Sequence, residues 1–446
     1  MTAAQKISAV IIAAIVLLAL LTGGILIRRH FPEKPPTESA VSPTTQPARN
    51  ALIPPPKEWI DPDTGHRIVR LTDEPESISM YFHQNPFSTD GKKLMFTSRT
   101  GLYQVDLETR QIEQIMPGNT AQFTQGNTGP GNNIIVRGRK TGRIYFTKTV
   151  LNPDNTESRS IWWIDPNTRE QKEVGSLPTG VAMGTLNCDE SLLAGAVTLE
   201  PSTHRIVGAA NSGGNLTARW AEHLPMELCT MDTHTGKINM FNKSNDWDNH
   251  FQFSPTDPNL LMFCHEGPWR NNDRVWTIHS DGSDLFKVHT RTMMNETWGH
   301  EFWSADGKMI WYQLSTPAGD GQTEWLAGFN VETWQETWLL DAPDTESIHV
   351  NISRDGTMFA GDGSDSAPWI FLFRPIISRN MAAGVYDSSK LIQPGFLQSE
   401  RLVNMSNHGY SSEPNPVFTP DGKWIIFRSN MFGPMYVFEV EVAKAK

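Results

Sequence analysis

A chain of 446 residues, 38% hydrophobic and 20% charged, can bury a large core and has a soluble balance except at its N-terminus. Its net charge of −11 excludes general nucleic-acid binding, because no basic stripe offsets it, and leaves an anionic substrate dependent on local cations. Three scattered cysteines, Cys188, Cys229 and Cys264, exclude a disulfide framework or a Cys-based zinc site.

Residues 1–6 form a short tail ahead of "ISAVIIAAIVLLALLTGGILI", residues 7–27. That stretch carries no charge and is long enough to cross a bilayer as a helix. Lys6 lies on one flank and Arg28 to His30 on the other, so the charge bias fixes no orientation. No small-x-small cleavage site follows, which predicts an uncleaved signal-anchor and a partner in the membrane. Residues 28–57, rich in Pro, Ser and Thr, cannot bury a core and read as an extended tether. The folded domain is expected at 58–446, on the periplasmic or extracellular side of the membrane.

Within it one pattern recurs: an apolar residue, an Asp-Gly type turn, a short strand, a gap, then a hairpin. "FSTDGKKLMFTS", "LNCDESLLAGAV", "FSPTDPNLLMFC", "FWSADGKMIWYQ", "NISRDGTMFAGD" and "VFTPDGKWIIFR" are first halves. "LYQVDLETRQIEQI", "IWWIDPNTREQKEV", "LCTMDTHTGKINMF", "VWTIHSDGSDLFKV" and "AGFNVETWQETWLL" are second halves, each two alternating strands around a tight polar turn. The turn aspartates are Asp90, Asp189, Asp257, Asp306, Asp355 and Asp421, two of the steps being 49 residues. "VRGRKTGRIYFTKT" around Gly142 supplies a missing copy. A four-stranded unit repeated at this period predicts an all-β fold, a seven-bladed β-propeller, with eight blades as the alternative. The longer gaps, 189 to 257 and 355 to 421, hold insertions.

A propeller serves binding platforms, periplasmic assembly factors and enzymes alike, so function has to be read from a site. "LLMFCHEGPW", residues 260–269, runs as an apolar strand and then turns polar at His265 and Glu266. His250, His300 and His349 precede their turn aspartates by 7, 6 and 6 residues, and His83 precedes Asp90 by 7. Equivalent positions on successive blades converge on the central channel. Imidazoles that meet there from separate strands suit a divalent transition metal or proton transfer near neutral pH. His408 belongs to the same series. Arg270 and Arg274, after the His-Glu-Gly-Pro stretch, have the chemistry to pair carboxylates.

"EWIDPDTGHRIVRLTDEPESISMYFHQNPFSTDGKKLMFTS", "NHFQFSPTDPNLLMFCHEGP", "GHEFWSADG" and "PNPVFTPDGKWIIFRSN" resemble the oligogalacturonate lyases, from Glu58 to the C-terminus. The resemblance implies a seven-bladed propeller that cuts short pectic oligomers by β-elimination with the help of Mn²⁺. It implies His250 as the base and His300 as a metal ligand. The remaining ligands of the family lie in a stretch like Gln-x-x-His-Pro-His-Pro, and here "YSSEPNPVFTP" puts Tyr410, Glu413 and Asn415 at the Gln, His and His positions. Glu413 and Asn415 offer oxygen to a hard cation such as Mn²⁺, Ca²⁺ or Mg²⁺, and His408 stands ready to substitute. The metal site is thus either rebuilt with mixed ligands or partly lost.

The expectation is a membrane-tethered, metal-assisted lyase acting on an acidic oligosaccharide. His265, Glu266, Arg270, Arg274, His83 and His349 are its candidate substrate-binding residues. The altered ligands favour the alternative, a non-catalytic tethered propeller that binds glycan or protein partners. A Tol-type assembly propeller explains the repeats but not the "CHEGP" and "HEFW" segments. No P-loop, dinucleotide fingerprint or serine nucleophile elbow is present, and nothing in the sequence names a protein partner.

Overall fold

Each Asp-Gly turn closes a hairpin by the same local chemistry. A Ser or Thr two residues before the aspartate donates to its carboxylate: Ser88 to Asp90, Ser304 to Asp306, Ser353 to Asp355 and Thr419 to Asp421, at 2.6–2.7 Å. The amide two residues after it donates to the same oxygen, as Lys92 and Lys308 do at 3.1 Å. The glycine between them adopts φ near +70°, at Gly91, Gly307, Gly356 and Gly422, which a side chain would penalise. The motif is therefore a folding instruction, and the strands on either side pair antiparallel.

The computed structural model describes residues 55–118, 120–122, 131–203, 213–378 and 391–445. Contacts divide the chain into Met1–Ile53 and Pro54–Lys446. The expected span 7–27 and nearly all of the linker lie outside the described residues. Among the described residues no helix is long and apolar enough to cross a membrane.

The described residues form seven units of four strands, the count expected from the repeat, two of them extended by a short fifth strand, Thr120–Gln122 beside Gly131–Arg137 and Glu58–Ile60 beside His66–Arg70. The inner strands of the four, in chain order, are Ile78–Ser79, Gly131–Arg137, Val181–Leu186, Asp248–Phe253, Thr297–Trp303, Val350–Ile352 and Val417–Phe418. In the seventh unit the outer place is taken by His66–Arg70, which pairs with Tyr436–Lys444 and so ties the start of the domain to its end. Blades five and six are joined into one eight-stranded sheet, because Glu336–Asp341 runs parallel to Gln393–Asn404 with Leu339 opposite Gly395. The first insertion carries the helix Gly213–Ala221, and residues 379–390 of the second lie outside the described set.

The core consists of wedges between neighbouring sheets. Leu228 and Phe241 of blade three pack with Phe253, Leu261 and Phe263 of blade four. Phe302 and Leu326 of blade five pack with Phe359 and Phe371 of blade six. Leu94 and Phe96 of blade one pack with Ile426 and Val437 of blade seven, so the ring is closed. Each fully buried large side chain contributes about 1.5–3 kcal/mol of transfer free energy, and this apolar closure holds the polar strand entries in fixed positions.

Hydrogen bonds stitch the inner edges together as well. Gln252 Nε2 donates to the Glu301 carbonyl at 2.7 Å, Asn351 Nδ2 to the Phe82 carbonyl at 2.9 Å, and the Phe82 amide to Asn415 Oδ1 at 3.2 Å. These bonds join blades four to five, six to one and seven to one.

Candidate active site

Two innermost strands break their register at corresponding steps. In blade four Asn249 pairs with Cys264 and Gln252 with Met262, so His250 and Phe251 bulge opposite one residue. In blade five Gly299 pairs with Gln313 and Phe302 with Trp311, so His300 and Glu301 bulge likewise. His250 has φ +50° and His300 φ +53°, and Asn415 before the blade-seven strand has φ +50°. A left-handed backbone at a non-glycine residue costs of order 1–3 kcal/mol and is held only where the surroundings enforce it. A bulge re-aims a side chain, and here it turns both imidazoles toward one centre.

Tyr81 stands at that centre. Its ring centroid lies 5.0 Å from His83, 6.4 Å from His250 and 5.2 Å from His349, while His300 lies 4.6 Å from His349. Four blades thus deliver imidazoles to one cluster, as the matching offsets predict.

His250 is backed by a buried ion pair. Its Nε2 lies 3.2 Å from Glu266 Oε2, and Glu266 Oε1 accepts from Arg274 Nη1 at 2.6 Å and from the Gly267 amide at 3.0 Å. Asn249 Nδ2 donates to Oε2 at 3.2 Å. Burial disfavours a charged His250, but the hydrogen bond and charge of Glu266, with the charge of Glu301, outweigh it and raise its pKa above 6.5. Burial works against the Glu266 carboxylate too, yet Arg274 and His250 hold it well below the usual range. The glycines of "HEGP" and "GHEF" are explained by this packing. A Cβ on Gly267 would sit 2.4 Å from Trp220 and 2.3 Å from Asn272, and one on Gly299 would sit 3.0 Å from Trp269.

His250, Cys264 and Glu266 bring ligating atoms within 4.8 Å of one another. Arg274 already neutralises Glu266, and burial pushes the Cys264 thiol well above its ordinary 9, so it stays protonated. The grouping is satisfied without a cation. Glu301 is 2% exposed, and its carboxylate oxygens have no hydrogen-bond partner among the described residues.

His300 is prepared differently. Gln313 Nε2 donates to the Ser347 carbonyl, which fixes its amide so that Oε1 meets His300 Nδ1 at 2.5 Å. Nδ1 therefore carries the proton and Nε2 the lone pair. Burial and the charge of His349 push the pKa down to about 3, so the ring is a neutral donor. His349 is fully buried. Its Nδ1 is 3.0 Å from Asp362 Oδ2, its amide donates to Asp362 Oδ1 at 2.7 Å, and its Nε2 is 3.1 Å from the Tyr81 hydroxyl. Burial lowers His349 to about 4 and raises Asp362 to about 7. Burial, with the charges of Glu413, Glu301 and Asp362, raises Tyr81 well above 10.

The other expected residues divide. Glu413 stands beside His349, 3.8 Å from its Nε2. His83 joins the ring cluster, its pKa pushed to about 3 by burial. Asn415 does not face a metal, because Oδ1 accepts from Phe82 and Nδ2 donates to the Glu413 carbonyl. His408 has both ring nitrogens engaged, Nδ1 with Ser429 Oγ at 3.1 Å and Nε2 with the Ser412 carbonyl at 2.7 Å. His265 lies with Asp248, Asp246 and Trp276 rather than with His250. Arg270 is exposed and donates to the Ala318 carbonyl, whereas Arg274 is buried against Trp269 and belongs to Glu266. Of the four expected metal ligands, His300 and Glu413 keep open donor atoms, one imidazole nitrogen and one carboxylate, a set that a hard divalent cation accepts.

Sequence reasoning missed Tyr81, Gln313, Asp362 and Arg428. Tyr81 is two residues from His83 in "YFHQNP", so alternation would have pointed to it. Gln313 and Asp362 sit on second strands and carry no motif. Arg428 donates to the Glu413 carbonyl at 2.7 Å and supplies the local cation that the net charge called for.

Comparison with known proteins adds a family. The profile described as oligogalacturonate lyase matches residues 220–371, which span both bulged histidines. The oligogalacturonate lyase of Dickeya dadantii (strain 3937) is 26% identical over 406 residues, covering 86% of this chain and 95% of its own. The oligogalacturonide lyase of Pectobacterium atrosepticum is 24% identical with the same coverage. An oligogalacturonate lyase solved in complex with manganese superposes with a TM-score of 0.69 at 23% identity, covering 87% of this chain and 96% of its own. A Vibrio parahaemolyticus oligogalacturonate lyase structure gives 0.68 at 22% identity, with the same coverage.

Proposed function

We propose, from the premise that this chain belongs to the oligogalacturonate lyase family, that it cleaves oligogalacturonides or related uronic-acid oligosaccharides by β-elimination, with His250 as the base. The observation that carries the assignment of the base is the bulged His250 held against the Glu266–Arg274 pair.

A uronate C5 proton is hardly acidic while the neighbouring carboxylate keeps its charge. Removing it requires a neutral base within reach and a place for the growing negative charge. Glu266 accepts a hydrogen bond from one imidazole nitrogen and, through its charge, favours the protonated ring that forms as the C5 proton arrives. Because Arg274 and the Gly267 amide occupy its other oxygen, Glu266 cannot swing away. Arg428, beside Glu413, adds a fixed positive charge on the other side of the cluster. A divalent cation held by His300 and Glu413 would supply further charge at the substrate carboxylate. A non-catalytic glycan platform has no need of a strained, ion-paired histidine at its centre.

The segment 7–27 and its tether support attachment to a membrane, with the domain on the periplasmic or extracellular side. The function is tested by incubating the full chain with di- and trigalacturonate, with and without Mn²⁺, and following the ultraviolet absorbance of the conjugated C4=C5 uronate. Absorbance that fails to rise with any uronide or divalent metal would sink the lyase reading.

The pH profile supplies a second test. His250 must be neutral to accept the proton, and its pKa is raised, so the acidic limb of kcat/KM lies above pH 6.5. Glu266→Gln removes the charge and hydrogen bond that raise it and leaves burial unopposed. The limb then moves to lower pH while the plateau rate falls. A limb unmoved by Glu266→Gln would show that another group titrates.

A further inference from the structure

We propose that Tyr81 is the acid of this reaction, donating its phenolic proton to the glycosidic oxygen that leaves C4; the inference rests on the lyase reading. Elimination has two proton movements, and His250 accounts for one. The other is needed because an unprotonated sugar alkoxide is a poor leaving group.

The cluster narrows the donors. His300 is partly exposed, but its one ring proton, on Nδ1, is held by Gln313, and the buried His349 has both nitrogens engaged with Asp362 and Tyr81. Arg274 is tied to Glu266, and Glu413 is a carboxylate beside His349. Tyr81 is partly exposed, its ring is 6.4 Å from the ring of His250, and its hydroxyl is 3.1 Å from His349 Nε2. The arrangement behind it is built. Asp362 grips His349 at both the amide and Nδ1, and Gln84 Oε1 accepts from the Tyr81 amide at 3.3 Å. Phe82 packs against His349 at 5.0 Å. A phenol that served only to fill space would not need an Asp–His pair fixed behind its oxygen.

The C5–H bond breaks and its proton goes to His250, while its electron pair forms the C4=C5 bond. The C4–O4 bond breaks, O4 keeps that pair and takes the proton of Tyr81. With the proton of the Asp362–His349 contact on Asp362 Oδ2, His349 Nε2–H donates to the phenolate, which is reprotonated from water as His250 releases its proton to water. No oxidant or further reactant is required.

The test compares two substrates in wild type and Tyr81→Phe: trigalacturonate, and a galacturonate bearing 4-nitrophenoxide at C4, which departs without a proton. Tyr81→Phe should lose about 10²- to 10⁴-fold in kcat on trigalacturonate, with KM little changed, and stay near wild type on the aryl substrate. Activity on the aryl substrate also shows that the variant is folded. Fluorotyrosine at position 81, which keeps the packing and acidifies the phenol, should alter kcat on trigalacturonate alone. An undiminished rate on trigalacturonate, or equal losses on both substrates, would overturn the proposal. Wild type inactive on both would overturn the lyase reading and this inference with it.

Discussion

His250→Ala should lower kcat on trigalacturonate by about 10²- to 10⁴-fold, the contribution typical of a positioned general base. KM should change little, because the imidazole acts on a proton rather than on the binding groups. The effect ought to be large because among the described residues His250 alone in the cluster combines access with a raised pKa. His83, His300 and His349 are pushed to about 3, 3 and 4, which leaves them neutral but weak as bases. His250 is different because the hydrogen bond and charge of Glu266, with the charge of Glu301, raise its pKa, and because its side chain is 30% exposed where His349 is fully buried. Circular dichroism should show the variant folded, since alanine fits the bulge and carries the same Cβ that the left-handed backbone already accommodates at His250. Steady-state kinetics with trigalacturonate is the measurement. A loss below about tenfold would assign proton abstraction elsewhere, with His83 next to be replaced.

How far the sequence led can be judged residue by residue. The blades were legible because Asp90, Asp306, Asp355 and Asp421 carry a complete local turn, Ser/Thr donor, carboxylate acceptor and left-handed glycine, at a regular spacing. The union of blades five and six was not, since it depends on a parallel register between strands more than fifty residues apart. In the site, the offsets of His250, His300 and His349 were visible because one fold position repeats. Side-chain direction beyond the backbone repeat was hidden. His265 and Glu266 are neighbours in one polar pair, yet only Glu266 meets His250, because successive residues leave a strand on opposite sides. His408 and Asn415 have the right donor atoms but spend them on Ser412, Ser429, Phe82 and Glu413. Partners of that kind lie in other blades or across a loop, and spacing does not reveal them.

The second large effect should come from Arg274, a residue far less exposed than an arginine in a loop leads one to expect. Arg274→Met keeps the length of the side chain and its contact with Trp269 but removes the charge 2.6 Å from Glu266. The carboxylate, 8% exposed, then lies buried with His250 as its nearest cationic partner. Breaking a buried pair in this way costs about 3–5 kcal/mol, because the remaining charge has lost its compensation while its desolvation persists. The expected result is a large drop in the urea midpoint of unfolding, together with a loss of activity as Glu266 no longer holds a fixed position. Replacing both partners separates the two effects. Glu266→Gln with Arg274→Met leaves no unpaired charge, so most of the lost stability should return, with a coupling energy well above the about 0.5 kcal/mol of independent sites. Activity should stay low in the double variant, because the carboxylate that orients His250 and stabilises its protonated form is gone. If the double variant is no more stable than Arg274→Met alone, the cost lies in packing against Trp269 and not in the stranded charge. If it recovers activity with stability, the Glu266–Arg274 pair serves the fold and His250 needs no carboxylate behind it.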